Sequence, residues 1–332
     1  MPRLYENILD LVGRTPLVRL RTGLPENGPR AYVKLEFFSP TGSLKDRMAL
    51  HVIRKAMDAG DLKPGETVID NTSGNTGSSV AMVASVLGLR SILVTPEKTS
   101  REKVDLMKSF GAEVLITPTD AAIDDPEGCY LVARNLAREN GYFDIDQYHS
   151  QDNIEAHYLT TGQEIWEDTA GRITHFVAGI GTGGTFSGAA RYLKECNPDI
   201  KTIAVDPEGS VLADYINDGK EIKGHAYKVE GIGSDVVTKA LHRDVVDEVI
   251  TVSDEDSFNR ARLIARTEGI SGGGSSGTVA VAIERVAADL GPESLIIGIF
   301  GDAGIRYLSK CYSDHWMNQQ GYLQELEKVK KL

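Results

Sequence analysis

Along this chain, short apolar runs alternate with stretches in which apolar residues return every third or fourth position. The second pattern is clearest after Lys45. There Met48, Ala49, Val52, Ile53, Ala56 and Met57 line one face of a helix that should run to about Gly60. Ser39, Thr41, Gly42 and Ser43 are turn and capping residue types, and they set the helix start near Leu44. Upstream, the pattern predicts a short helix over 5–11, a turn at Gly13-Arg14-Thr15-Pro16, an edge strand over 17–20 and a strand over 31–36. Downstream it predicts strands over 67–70, 90–95 and 113–116, helices over 78–87, 102–110 and 129–139, and an acidic loop over 118–128. The second half repeats the scheme. It has a helix over 154–168, a buried strand over 175–179 followed by a helix to about Cys196, and a strand over 201–205. A helix over 253–268 capped by Ser253, a helix opened by 272–277 and a last strand over 295–300 complete it. Leu323, Leu326 and Val329 predict a surface helix over 319–332, suited to a subunit contact. Strand–helix alternation of this kind implies an α/β fold with largely parallel sheets flanked by helices. No low-complexity linker divides the halves, so they should share an extensive interface.

Composition narrows the setting more than the chemistry. With 332 residues the chain has room for two average domains or one large one. The expected division is 1–160 and 161–332, with residues 13–35 crossing to the second domain and part of the first mobile. A net charge of -12 argues against nucleic acid or an anionic membrane as partner. Glu6 and Asp10 interrupt any N-terminal signal pattern, and the apolar runs are too short to span a bilayer. Cys129, Cys196 and Cys311 are far apart and none forms a C-x-x-C pair, which points to reduced thiols and a cytoplasmic setting. The histidines, His149 and His157 among them, lack metal-ligand spacing, so no metal is expected.

The chemistry centres on Lys45 and three glycine-rich loops. A lysine at a helix start lies beside unpaired N–H groups and the positive helix end, which favours a lowered pKa and a nucleophilic amine. Taken alone it is equally a solvated surface charge. Gly181-Thr182-Gly183-Gly184-Thr185 joins an apolar strand to a helix, the geometry of a phosphate cradle. The same stretch, from Gly179 to Gly184 with Asp206 further on, also fits a dinucleotide fingerprint and hence a nicotinamide-dependent oxidoreductase. Thr72-Ser73-Gly74-Asn75-Thr76-Gly77 offers donors for a carboxylate or caps a helix. Ser275 and Ser276 offer neutral hydroxyls or cap another.

Together these loops and Ser43-Leu44-Lys45-Asp46-Arg47 resemble the cysteine synthase and cystathionine β-synthase family, pyridoxal-phosphate enzymes of fold type II with a tryptophan synthase β-like architecture. The resemblance runs in order and spacing from about Ile8 to Met317. The stretches 206–210, 230–233 and 313–317 are similar to the cystathionine β-synthase branch. It implies that Lys45 holds the cofactor, pyridoxal 5'-phosphate, as an aldimine, and that Gly181, Thr182, Gly183, Gly184 and Thr185 bind its phosphate. Asn75 would meet the ring hydroxyl and Ser275 the ring nitrogen. Thr72, Ser73, Thr76 and Gln147 would bind the substrate carboxylate, with Gly231 on the face where the second substrate enters.

The implied reaction is β-replacement on serine or an O-activated serine through an aminoacrylate, with a thiol nucleophile. The implied partners are amino-acid substrates and a second copy of the chain. Two departures stand out. Ser234 stands where cystathionine β-synthases of this pattern carry Tyr, and Ser39-Pro40-Thr41 replaces the usual Asn-Ala-Gly. Ser234 keeps open an amine nucleophile and a diaminopropionate-type product. The sequence shows no haem-binding segment and no paired regulatory domains, so neither haem nor adenosyl-nucleotide control is expected.

Overall fold

The computed structural model describes residues 4–72, 74–97, 99–118, 125–220 and 223–324. Its strands are β1 (Leu17–Leu20), β2 (Arg30–Leu35), β3 (Thr67–Asn71), β4 (Arg90–Pro96), β5 (Glu113–Thr117), β6 (Phe143–Asp144), β7 (His175–Gly179), β8 (Lys201–Pro207), β9 (Glu248–Val252) and β10 (Leu295–Phe300). Its helices are α1 (Lys45–Ala59), α2 (Asn75–Leu87), α3 (Arg101–Ser109), α4 (Cys129–Asn140), α5 (Gln151–His157), α6 (Gln163–Asp168), α7 (Gly184–Cys196), α8 (Leu212–Asp218), α9 (Asp254–Glu268), α10 (Gly274–Ala287) and α11 (Asp314–Gln320).

The strands form two sheets. The smaller is parallel, in the order β5-β4-β3-β6, and comes from one continuous stretch of chain. The larger has the order β1-β2-β10-β7-β8-β9, parallel except for the edge strand β1. β1 and β2 thus belong to the sheet built mainly by the second half of the chain. Every residue of β3 and β10 is buried, the mark of parallel strands covered on both faces. Met48, Ile53, Val80 and Leu93 pack α1 and α2 onto the small sheet. Phe176, Phe186 and Ile297 fill one side of the large sheet, and Val33, Val177 and Ile283 the other.

The structure departs from the sequence reading at four places. The helix expected from 78 begins at Asn75, because Thr72 Oγ1 accepts from the N–H groups of Gly74 (3.0 Å) and Gly77 (3.1 Å) and caps the chain earlier. The helix expected over 154–168 starts at Gln151 and is broken by a π-turn, Tyr158–Gly162, between α5 and α6. Only Ile8–Leu11 of the expected first helix is helical, as a 3₁₀ turn capped by Asn7. At the C-terminus Gly321 closes α11, and 321–324 are not helical. The rest of the expected tail helix, and most of the acidic loop, lie outside the described residues.

Candidate active site

The C-terminal end of β10 and the starts of α1, α2, α7 and α10 meet at a cleft of about 430 Å³. Lys45, Asn75, Thr185, Gly231, Ser275 and Asp302 line it. Lys45 opens α1. Its turn is pinned to the end of β10, where Leu44 N donates to Gly301 O at 2.9 Å and Ser43 bridges Asp302. Among the described residues no group accepts a hydrogen bond from Lys45 Nζ. Its pKa is lowered to about 8. Burial is the largest cause, and the nearby Asp70 carboxyl partly offsets it. The sequence reading had placed that cause in the helix end.

Across the cleft β7 runs into α7 through Gly181–Thr185. Gly183 has φ +89°, and a Cβ there would come within 2.5 Å of Leu241 Cα, so only glycine holds the turn. The first N–H groups of α7 have no partner within the helix and point at the cleft end. Thr182 and Thr185 bring two buried hydroxyls to the same place. Asn153 Nδ2 donates to Thr182 Oγ1 at 3.1 Å. Thr185 Oγ1 lies 3.1 Å from His157 Nε2, whose ring is fixed on its other side by Thr161 Oγ1 at 2.9 Å from Nδ1. Burial first, then the Arg47 and Lys45 charges, hold His157 well below the usual histidine pKa, so its imidazole is neutral.

Asn75 Nδ2 donates to Asp302 Oδ2 at 2.7 Å, while Asn75 Oδ1 is buried with no partner. Tyr307 donates to the same Asp302 oxygen at 2.6 Å. Ser275 is buried in the first turn of α10. Gly231 has φ +87°, and a Cβ there would meet nothing within 4 Å. Beside it Glu230 pairs with Lys103 of α3 and with Lys310, tying the small sheet's side to the large one at the cleft rim.

The carboxylate-binding candidates sit at the start of α2. Thr76 Oγ1 donates to Gln147 Oε1 at 2.8 Å. Gln147 Nε2 donates to Asp70 Oδ2 at 3.1 Å and Asn71 O at 2.9 Å, so both its hydrogens are engaged. Thr72 is the cap described above, and Ser73 lies outside the described residues. Asp206, the acid of the dinucleotide reading, is fully buried and accepts from Ala213 N at 2.9 Å in the first turn of α8. It faces the fold rather than an open crevice. Burial pushes its pKa up to about 7.

Sequence reasoning missed Asp302, His157, Asn153 and Glu230. Asp302 had one visible signal, its place just after a buried strand in Gly301-Asp302-Ala303-Gly304. The other three gave none, because their partners are remote in the chain. Among the described residues no cluster of His, Cys, Asp or Glu could hold a metal ion, and no helix is long and apolar enough to cross a membrane.

The family described as "Pyridoxal-phosphate dependent enzyme" matches residues 8–302. The chain belongs to that family. It is 44% identical to cystathionine beta-synthase of Apis mellifera over 326 residues, which are 97% of this chain and 64% of that protein. It is 38% identical to cysteine synthase of Staphylococcus aureus over 305 residues, 92% of this chain and 96% of that one. The chain spans about three fifths of the length of the cystathionine beta-synthases it matches. Among solved structures, O-ureido-L-serine synthase superposes with a TM-score of 0.87 at 33% identity, covering 95% of this chain and 100% of that chain.

The residues present fit the family's cofactor. The Gly183 turn and the start of α7 form a cradle for a phosphate. Asn75 Oδ1 is a buried acceptor without a partner, and the Lys45 amine faces the same cleft.

Proposed function

We propose that this chain catalyses β-replacement on serine or an O-activated serine, with a thiol such as homocysteine or sulfide as nucleophile. The observation that carries the reading is the Lys45 amine, with its pKa lowered to about 8, in a cleft shared with an anion loop and the neutral Ser275 hydroxyl. When bound, pyridoxal phosphate supplies the electron sink that weakens bonds at the amino acid's α-carbon. Thr182, Thr185 and the N–H groups of 181–185 hold the phosphate, and Asn75 holds the ring hydroxyl. Ser275 meets the ring nitrogen with a neutral hydroxyl and leaves it unprotonated, which favours loss of a β-leaving group. Lys45 Nζ is the covalent anchor. Once the substrate amine displaces it, the same nitrogen takes the α-proton.

Thr72, Ser73, Thr76 and Gln147 take the substrate carboxylate. Because the Gln147 hydrogens and the Thr76 proton are engaged, this loop rearranges as substrate enters, and the small-sheet side closes with it. The second substrate enters past Gly231. The working unit of this reading is a homodimer. Phe38, Ile305 and Leu308 are 63%, 73% and 59% exposed. They sit on neighbouring turns joined by Ala303 N donating to Gly42 O at 3.1 Å, which makes this face the contact.

An amine nucleophile is the second reading. Ser234 favours it, since its hydroxyl turns back to Val236 O at 2.7 Å and leaves no aromatic group at that position. The test is product analysis with serine, O-acetylserine and O-phosphoserine, each against homocysteine, sulfide and glutamate. A thioether or cysteine supports the first reading, and an amino-linked product replaces it with the second. No product from any pair overturns β-replacement.

A further inference from the structure

Where β2 and β10 begin, away from the Lys45 cleft, lies a second cavity of about 900 Å³ including its open mouth. Arg14, Arg30 and Arg172 line it, over a floor of Leu17, Tyr32 and Ile297. Among the described residues none of the three guanidinium groups pairs with a carboxylate. Arg172 Nε donates only to Thr169 O, at 3.1 Å. Three unpaired arginines around one cavity are notable in a chain of net charge -12. Guanidinium groups recognise carboxylates and phosphates through two parallel hydrogen bonds, and a tyrosine beside aliphatic groups suits an organic body.

The wall of this cavity also belongs to the buried network that holds α1. Arg14, at φ +47°, donates its backbone N–H to Glu164 Oε1 at 2.9 Å. Glu164 accepts from Arg47 at 2.6 and 2.8 Å and pairs with Lys34 at 2.8 Å. Thr15, another wall residue, donates to Glu36 at 2.6 Å and accepts from Arg47 at 3.1 Å. Arg47 stands two residues after Lys45 in the first turn of α1. A molecule that draws on Arg14 therefore acts on groups bonded to the lysine's own helix.

We propose that this cavity is an effector site for a small organic anion carrying two or more carboxylate or phosphate groups, coupled to Lys45 through Glu164 and Arg47. The coupling rests on the role of Lys45 proposed above, whereas the binding does not. The test uses the full chain loaded with cofactor, titrated separately with citrate and with inorganic pyrophosphate in a calorimeter. Both probes are expected to bind, the tighter one naming carboxylate or phosphate as the preferred group. Arg30→Glu should weaken binding by about tenfold or more, and Arg138→Glu, the same charge change on α4, should leave it unchanged.

No heat at about 10 mM probe, or equal affinity in Arg30→Glu, overturns the site. So does an Arg30→Glu variant whose only change is its oligomeric state, because the occupant is then a second copy of the chain. Bound probe should also shift the pH dependence of the cofactor's visible band. Binding without that shift overturns the coupling, and a protein that binds probe but makes no β-replacement product overturns only the earlier reading.

Discussion

Replacing Arg47 with Met cuts the hub between the two layers. The guanidinium side chain is 1% exposed and makes hydrogen bonds to Glu36 at 2.7 and 3.0 Å, to Glu164 at 2.6 and 2.8 Å and to Thr15 at 3.1 Å. The substitution keeps most of the apolar volume but strands Glu36, also 1% exposed, with Thr15 as its only printed partner. Removing one member of a buried ion pair costs about 3–5 kcal/mol.

Proton linkage gives an independent figure. Burial alone would raise the Glu164 pKa, but pairing with Arg47 and Lys34 overcomes it and lowers the value from 4.5 to about 2. The unfolded chain therefore binds the proton more readily between these values. Stability from this group is full above 4.5 and disappears as pH falls through about 2. A shift of that size corresponds to about 3 kcal/mol. The two routes agree. At this chain length the loss should lower the melting temperature by about 6–10 °C at neutral pH. It should also flatten the fall in stability on acidification. Arg47→Lys, which keeps the charge but loses the fork, should lie between the two. Urea unfolding at neutral pH and in steps down to acid measures both effects. A loss below about 1 kcal/mol, or an unchanged acid limb, would refute the argument.

Three further outcomes follow from the cleft. Reattachment of cofactor to the stripped protein should accelerate as pH rises through about 8, because Lys45 must be neutral to attack. A rate flat across that range would contradict the lowered pKa. Gly183→Ala faces both a positive φ and the Leu241 backbone, and should weaken cofactor affinity by at least about tenfold as read by equilibrium dialysis. Thr76→Val frees Gln147 Oε1 and removes a candidate carboxylate donor, so it should raise KM for the serine substrate several-fold while the resting absorption spectrum is unchanged. A Thr76→Val enzyme with a normal KM removes Thr76 from the carboxylate site.

The alternation of strands and helices was readable because parallel strands such as β3 and β10 are buried on both faces and appear as unbroken apolar runs. The loops were readable because an anion cradle needs glycine and small hydroxyls in a fixed order, as at 181–185. β9 was not found. It is an edge strand with a mixed pattern, and only its pairing with β8 makes it a strand. The π-turn after His157 follows from close packing. Gly188 presses α7 onto the backbone at Ile154 and Tyr158, and Gly162 faces Ala189 and Tyr192. No periodicity within one helix encodes that contact. Asp302 likewise has a role only once Asn75 and Tyr307 have been brought to it.

The pairing of β2 with β10 has a consequence for how the chain is made. The small sheet is complete once residues 67–144 have been synthesised, and it can settle on its own. β2 lies between β1 and a partner near the other end of the described chain, with Arg30 opposite Leu295 and Leu35 opposite Phe300. On a ribosome adding about 5–20 residues per second, β2 waits tens of seconds with one edge unpaired. Translation speed through the second half therefore sets how long a sticky strand is on offer to neighbouring nascent chains.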